Sequence, residues 1–321
     1  MLLELAILLV SLAALAWSAN LVSDKAVVLS EYFHISQMAI GFLLIAASTS
    51  IPELAVSVMA SITGQGAISA GNVFGSNIAD IFLVIGACAF FYKIVLRRED
   101  AIEVGGVLLV TSVITLYFIY STFVLGYPVI GRLEGAVLLL AFGAYIYYVL
   151  KKKKFTKNGD NGITKKDALR AFALFFVGVT LVLISSGLAV DSAVKLSELA
   201  GISQSFIGAT ILAVGTSLPE LSVELAAVKK KRYALAIGDA IGSTITNITL
   251  VLGVASLLNP ITILAPASFL TILLFAMLAN IIFFYMTLAE RKIGRVEGAL
   301  LLLSYVAFLA VLVGAEKISV P

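Results

Sequence analysis

The chain has one cysteine, one histidine and few charges, and each shortage excludes something. Cys88 has no second thiol to pair with, so no intrachain disulfide can form. His34 cannot assemble a Cys/His cluster by itself, which argues against a soft transition-metal centre. Only 13% of the residues are charged, well below the quarter or so typical of soluble domains. No glycine-rich, lysine-bearing phosphate loop is present, so ATP-driven pumping is not expected. No Ser/His, paired-Asp or metal constellation of suitable spacing marks an intramembrane protease, so the chain is not read as an enzyme. No basic stretch reads as a nucleic-acid surface, and no obligate protein partner is evident.

What fills the chain instead is apolar: 61% hydrophobic residues and a mean hydropathy of +1.09. Ten apolar runs approach the roughly 20 residues needed to cross a bilayer: about 2–20, 36–62, 70–92, 105–125, 131–150, 168–190, 203–228, 234–258, 263–286 and 296–314. The first contains Glu4 and lacks a basic leader, so it is expected to be retained as a helix. Of the 22 basic residues, 19 fall in alternate loops, which assigns those loops to the cytoplasm and both termini to the outside. The expected location is multi-pass in a plasma membrane, with lipid as the surrounding partner.

One polar motif occurs twice inside these runs. Thr49-Ser50-Ile51-Pro52-Glu53 recurs 167 residues later as Thr216-Ser217-Leu218-Pro219-Glu220. The same offset carries Gly71-Asn72-Val73-Phe74-Gly75-Ser76-Asn77-Ile78-Ala79-Asp80 onto Gly238-Asp239-Ala240-Ile241-Gly242-Ser243-Thr244-Ile245-Thr246-Asn247. The chain therefore divides into a first five-helix repeat, 1–150, a basic cytoplasmic linker, 151–167, and a second repeat, 168–321. An odd number of spans per repeat makes the two copies enter the membrane from opposite sides. The fold class is all-α integral membrane: ten transmembrane helices as two inverted five-helix repeats, a plan of secondary transporters.

The repeated residues have the chemistry of a cation site. All four motif segments lie at mid-span, and carboxylates held at that depth are costly enough to mark an ion path. Pro52 and Pro219 cannot donate backbone hydrogen bonds, which breaks helices two and seven and releases carbonyl oxygens. A hard cation such as Ca²⁺ wants six to eight oxygens. Asn72, Ser76 and Asp80 are spaced i, i+4, i+8 and form one polar stripe; Asp239, Ser243 and Asn247 form its counterpart. Gly71, Gly75, Gly238 and Gly242 permit close helix approach.

These motifs resemble the alpha repeats of the cation/calcium exchanger superfamily, and most its sodium/calcium exchanger branch of prokaryotic type. That branch carries Gly-Thr-Ser-x-Pro-Glu and then Gly-Asn/Asp-x-x-Gly-Ser-x-x-x-Asn/Asp, twice. The resemblance covers essentially the whole chain. It implies that Glu53 and Glu220 are central Ca²⁺ and Na⁺ ligands. The carbonyls of Ala46, Thr49, Ala213 and Thr216 and the hydroxyls of Ser50, Ser76, Ser217 and Ser243 would complete the cage, with Asp80 and Asn247 as paired acid and amide positions. Ser48 departs from the pattern where the first glycine is expected, and Glu224 and Asp239 stand where Ser and Asn are more usual.

The resulting expectation is an antiporter exchanging Na⁺ for Ca²⁺ by alternating access, with no cofactor beyond the transported ions. A proton-coupled or K⁺-dependent antiporter of the same fold is the alternative. Asp239, near the cytoplasmic end, is expected to be solvated, with an ion-entry role as the alternative, and Glu224 to face ion entry or to pair with a nearby base. Asp24 and Asp191 are read as helix caps. Tyr145, Tyr147 and Tyr148 are read as an interfacial belt.

Overall fold

The computed structural model describes residues 2–33, 49–62, 64, 66–124, 126, 129–151, 163–198, 208–262, 266–289 and 292–319. Eleven helices account for nearly all of them. The first half of the chain holds α1 (Leu2–Tyr32), α2 (Ile51–Ile62), α3 (Gly66–Phe91), α4 (Arg98–Ile119) and α5 (Arg132–Lys151). The second half holds α6 (Lys165–Glu198), α7 (Gly208–Thr216), α8 (Leu218–Lys229), α9 (Tyr233–Leu258), α10 (Pro266–Ala289) and α11 (Arg295–Ser319). Six of these are long and apolar enough to cross a membrane, or seven when α7 and α8 count as one bent span. All ten apolar runs coincide with helices where they are described. The first run extends further than expected, through Lys25 to Tyr32.

Burial separates the helices into two classes. In α3 and α9, 83% and 78% of the apolar stretch is buried inside the protein, against 22–39% in α4, α5, α10 and α11. The outer four turn leucine, valine and tyrosine outward, as at Leu133, Val137 and Leu140 of α5 and Leu300, Leu303 and Val306 of α11. A face of that composition is stable only against hydrocarbon or another protein. The helices carrying the two polar stripes are therefore the core, and the apolar ones are its jacket.

Contacts between the halves repeat with two-fold regularity. Strand β1 (Ile94–Val95) pairs antiparallel with β4 (Lys292–Ile293), and β2 (Val129–Ile130) pairs antiparallel with β3 (Ile261–Thr262). The 167-residue offset carries β1 onto β3; an offset of 163 carries β2 onto β4. The second half is thus four residues shorter in the stretch around α10. The same relation governs two helix crossings. A Cβ on Gly298 of α11 would overlap the Phe90 nitrogen of α3 and lie 2.8 Å from its Gly86 carbonyl. A Cβ on Gly135 of α5 would lie 2.5 Å from Ser256 Oγ and 2.9 Å from the Gly253 carbonyl of α9. Backbones approach this closely only where no side chain intervenes.

Helices α1 and α6 pack along each other. At 31 and 34 residues they extend about 45–50 Å, beyond the roughly 30 Å hydrocarbon layer. Ion pairs fasten α1 at both ends: Glu4 to Lys195 of α6 (3.6 Å), and Asp24 to Lys230 and to Arg232 (3.2 Å) in the α8–α9 loop. Asp24 lies inside a continuous helix and is a salt-bridge residue rather than a cap. Burial pushes its carboxyl up, but Lys230 and Arg232 outweigh this and hold it below the ordinary carboxylate value. A depressed folded-state pKa means that this stabilisation is present above the ordinary pKa near 4 and lost as the pH falls through the folded value. Because the pair is partly solvated, Asp24→Asn should lower stability by less than about 1 kcal/mol at neutral pH. The deficit should vanish in acid, as thermal unfolding in detergent would reveal.

Candidate functional site

Local backbone chemistry places the acidic residues. Helix α7 ends at Thr216, Ser217 takes a non-helical conformation (φ −82°, ψ 3°), and α8 restarts at Leu218 with Pro219 in its first turn. The two helices meet at 45°. Pro219 therefore sits where its missing N–H removes no helical bond, instead of interrupting a continuous helix. Glu220 falls in the same first turn, at the positive end of the helix dipole. Helix α2 begins the same way at Ile51, with Glu53 in its first turn. The Ala213 carbonyl, an expected ligand, accepts the Ser217 N–H (3.0 Å) and the Thr216 hydroxyl (3.3 Å). Ala46 lies outside the described residues.

Each half reaches into the other. Thr49 Oγ1 donates to Asp239 Oδ1 (3.3 Å) and lies 3.5 Å from Ser243 Oγ, both on α9. The equivalent threonine, Thr216, donates to Asn72 Oδ1 (3.3 Å) and lies 3.3 Å from Ser76 Oγ, both on α3. Asn77 Nδ2 donates to the carbonyl of Thr244, the residue 167 positions on (3.1 Å). Asn247 Nδ2 donates to Asn77 Oδ1 (3.3 Å). Of the predicted residues, Thr49, Ser50, Glu53, Ser76, Asp80, Thr216, Ser217, Glu220, Ser243 and Asn247 are all buried.

The carboxylates lie among these hydroxyls, Glu53 beside Thr216, Asp80 beside Ser217, and Glu220 beside Thr49 and Ser243. Glu53, Asp80, Glu220 and Glu224 are each fully buried with both side-chain oxygens free of hydrogen-bond partners among the described residues, as are Asn247 Oδ1 and the Ser50 and Ser217 hydroxyls. Glu53 interacts electrostatically with both Glu220 and Asp80, so acids of both repeats share one neighbourhood. An uncompensated buried carboxylate costs several kcal/mol. Such a concentration of orphaned acceptors suits a positively charged guest. Among the described residues no group of three or more His, Cys, Asp or Glu is arranged to hold a metal ion. The carboxylate, hydroxyl and carbonyl oxygens gathered here are a composition for hard cations.

Some features of the centre were not legible in the motifs. Asp80 and Asn247 both lie in π-helical turns, Ala79–Ile85 and Asn247–Val251. Such turns widen the helix and often accompany functional sites. Asn77 and Ser57 are further polar members; Asn77 lies in a repeated segment, whereas Ser57 lies outside the repeated motifs and gave no signal. Asp239 is fully buried and accepts from Thr49, so it is not solvated. Glu224 has no basic partner among the described residues, since Lys230 and Arg232 pair with Asp24. Tyr147 and Tyr148 are exposed as an interfacial belt requires, but Tyr145 is buried in the core. His34 and the linker over 152–162 lie outside the described residues, as does the Asp191 side chain.

Known proteins match this architecture throughout. A family model described as sodium/calcium exchanger protein matches residues 3–151 and 170–314. The inner membrane protein YrbG of Escherichia coli is 30% identical over 328 residues, 97% of either chain. The sodium/calcium exchanger MaX1 of Methanosarcina acetivorans is 29% identical over 344 residues, 95% of this chain and 97% of its own. The solved structure of the sodium-calcium exchanger NCX_Mj, soaked with Na⁺ and Ca²⁺, superposes with a TM-score of 0.79 at 28% identity, covering 97% of this chain and 98% of that one. The chain belongs to the sodium/calcium exchanger family, on its prokaryotic branch, and is a multi-pass membrane antiporter of cations rather than an enzyme.

Proposed function

We propose that the protein exchanges Na⁺ for Ca²⁺ across the plasma membrane by alternating access, through ten transmembrane helices in two inverted five-helix repeats with both termini outside. The observation that carries this reading is the meeting of Thr49 and Thr216 with the opposite stripes around three buried carboxylates, Glu53, Asp80 and Glu220, that lack hydrogen-bond partners among the described residues. These acids, with the hydroxyls of Ser50, Ser76, Ser217 and Ser243, form the central ligand set. Thr49, Thr216, Ala46 and Ala213 contribute carbonyls, and Asn247 the amide opposite Asp80. Three ionised carboxylates carry −3, which three Na⁺ would neutralise and one Ca²⁺ would leave at −1. The cycle is then electrogenic, with about 2.3 kcal/mol per unit charge moved through 100 mV. Helices α1 and α6, long and packed together at the margin, are the sliding element against the rigid α3–α9 core.

The test is ⁴⁵Ca²⁺ uptake into proteoliposomes loaded with Na⁺, K⁺, choline or an acidic interior. Uptake is expected only with Na⁺ inside, and it should increase when the membrane potential favours net charge movement. Uptake driven by acid alone would replace this reading with the proton-coupled alternative. A requirement for K⁺ together with Na⁺ would replace it with the K⁺-dependent one.

A further inference from the structure

The two halves match closely in shape, but at one pair of positions they differ in charge. In the first half, Ser57 on α2 and Asn72 on α3 face each other, and Asn72 Nδ2 donates to Ser57 Oγ (3.3 Å). The 167-residue offset carries Ser57 onto Glu224 and Asn72 onto Asp239. A neutral donor–acceptor pair in one half is thus replaced in the other by two acids on adjacent helices α8 and α9, which also feel the central acids Glu220 and Asp80. Both are fully buried, and three of their four oxygens, Glu224 Oε1 and Oε2 and Asp239 Oδ2, have no partner among the described residues. The fourth, Asp239 Oδ1, accepts from Thr49. The bases nearest in sequence that form ion pairs, Lys230 and Arg232, are engaged by Asp24.

We propose that Glu224 and Asp239 form a second cation subsite, built on one side of the molecule only, that takes a divalent, oxygen-seeking cation such as Ca²⁺. Two carboxylates carry −2, so a divalent ion neutralises the pair where a monovalent ion leaves a net charge in a dry interior. Three free carboxylate oxygens supply part of the six to eight ligands Ca²⁺ takes, and water supplies the remainder. Glu224 lies one turn beyond Glu220, about 6 Å along α8 toward the Lys229–Arg232 loop, and Asp239 approaches the same loop from α9. The subsite stands between that loop and the central acids. It is a staging position for Ca²⁺ at one mouth of the pathway, with no equivalent at the other, where Ser57 and Asn72 satisfy each other.

The inference goes beyond the central site and is tested apart from it, by equilibrium ⁴⁵Ca²⁺ binding to the purified full-length protein in Na⁺-free detergent solution. Wild type is expected to bind two Ca²⁺ per chain. The double variant E224S/D239N reproduces the Ser57–Asn72 pair of the first half; the amide oxygen it introduces can accept from Thr49 as Asn72 accepts from Thr216. It is expected to bind one Ca²⁺, and that remaining ion also reports that it is folded. E224Q, which lets an amide bridge to Asp239, should lose the same ion. E53Q should instead weaken the central ion and keep the second. A stoichiometry unaltered by E224S/D239N and E224Q overturns the proposal, whether wild type binds one ion or two. Retention of both ions in E53Q would count against the central site while leaving the Glu224–Asp239 difference intact.

Discussion

Replacing Glu220 with glutamine should reduce Na⁺-driven Ca²⁺ uptake by at least about 100-fold while leaving the protein folded. The substitution keeps the shape of a fully buried side chain, and its amide oxygen can still face the Thr49 and Ser243 hydroxyls that lie beside Glu220. What it removes is the charge that opposes a cation. Deleting one member of a buried, compensated charge pair costs about 3–5 kcal/mol, and each 1.4 kcal/mol is a factor of ten in affinity. Glu53→Gln should do the same, because the two occupy equivalent first-turn positions in α2 and α8. Ser304→Ala, on α11 with its hydroxyl tied to the Leu300 carbonyl, should transport normally. Uptake assays in proteoliposomes, with folding monitored by size-exclusion chromatography, decide the matter. Wild-type rates in both glutamine variants would remove the central site from the mechanism. Both variants are also expected to be no less stable than wild type when cations are absent, since each relieves an orphaned buried charge.

The second large effect concerns the interlocking of the halves. Gly298→Val should abolish folded protein or lower its melting temperature in detergent by many degrees. A Cβ at this position would overlap the Phe90 nitrogen and lie 2.8 Å from the Gly86 carbonyl, and backbone in the middle of a packed helix cannot swing aside as a side-chain tip can. Ordinary overpacking costs about 1–3 kcal/mol; separating α3 from α11 here would also strain the adjoining β1–β4 pair. Gly135→Val attacks the equivalent crossing of α5 with α9 and should behave alike, with a Cβ 2.5 Å from Ser256 Oγ. Gly143→Val, on the same α5 but with nothing within 4 Å of its Cβ, should be tolerated, and any loss there reflects only β-branching in a helix. If Gly298→Val and Gly143→Val proved equally stable, the close crossing would not hold the halves together.

Much of this architecture was legible in the chain because it rests on local chemistry repeated at a fixed spacing. Hydropathy located the helices, since an apolar segment in a bilayer must close its own backbone hydrogen bonds. Periodicity set Asn72, Ser76 and Asp80 on one face, and they are all buried on α3. The prolines marked the break between α7 and α8, although the restart at Leu218 makes Pro219 a starter of α8 and not a kink within a longer helix. The end of α1 was misjudged because Asp24 and Lys25 read as a polar loop, whereas an ion pair with the α8–α9 loop lets the helix continue past them.

What the amino-acid order alone determined is the helical membrane fold, the repetition of the polar motif, and the identity of the polar residues. Each of these follows from interactions within one helix or from comparison of one repeat with the other. Only the tertiary structure decided which polar residues meet. Thr49 touches Asp239 and Thr216 touches Asn72 across 190 and 144 residues of chain, contacts that depend on how α2, α7 and α8 cross α3 and α9. The same crossing buried Glu224 and Asp239 without bases beside them among the described residues, while Asn72 donates to Ser57. Helical periodicity specifies the face on which a side chain stands, but what lies opposite that face is set by packing between distant segments.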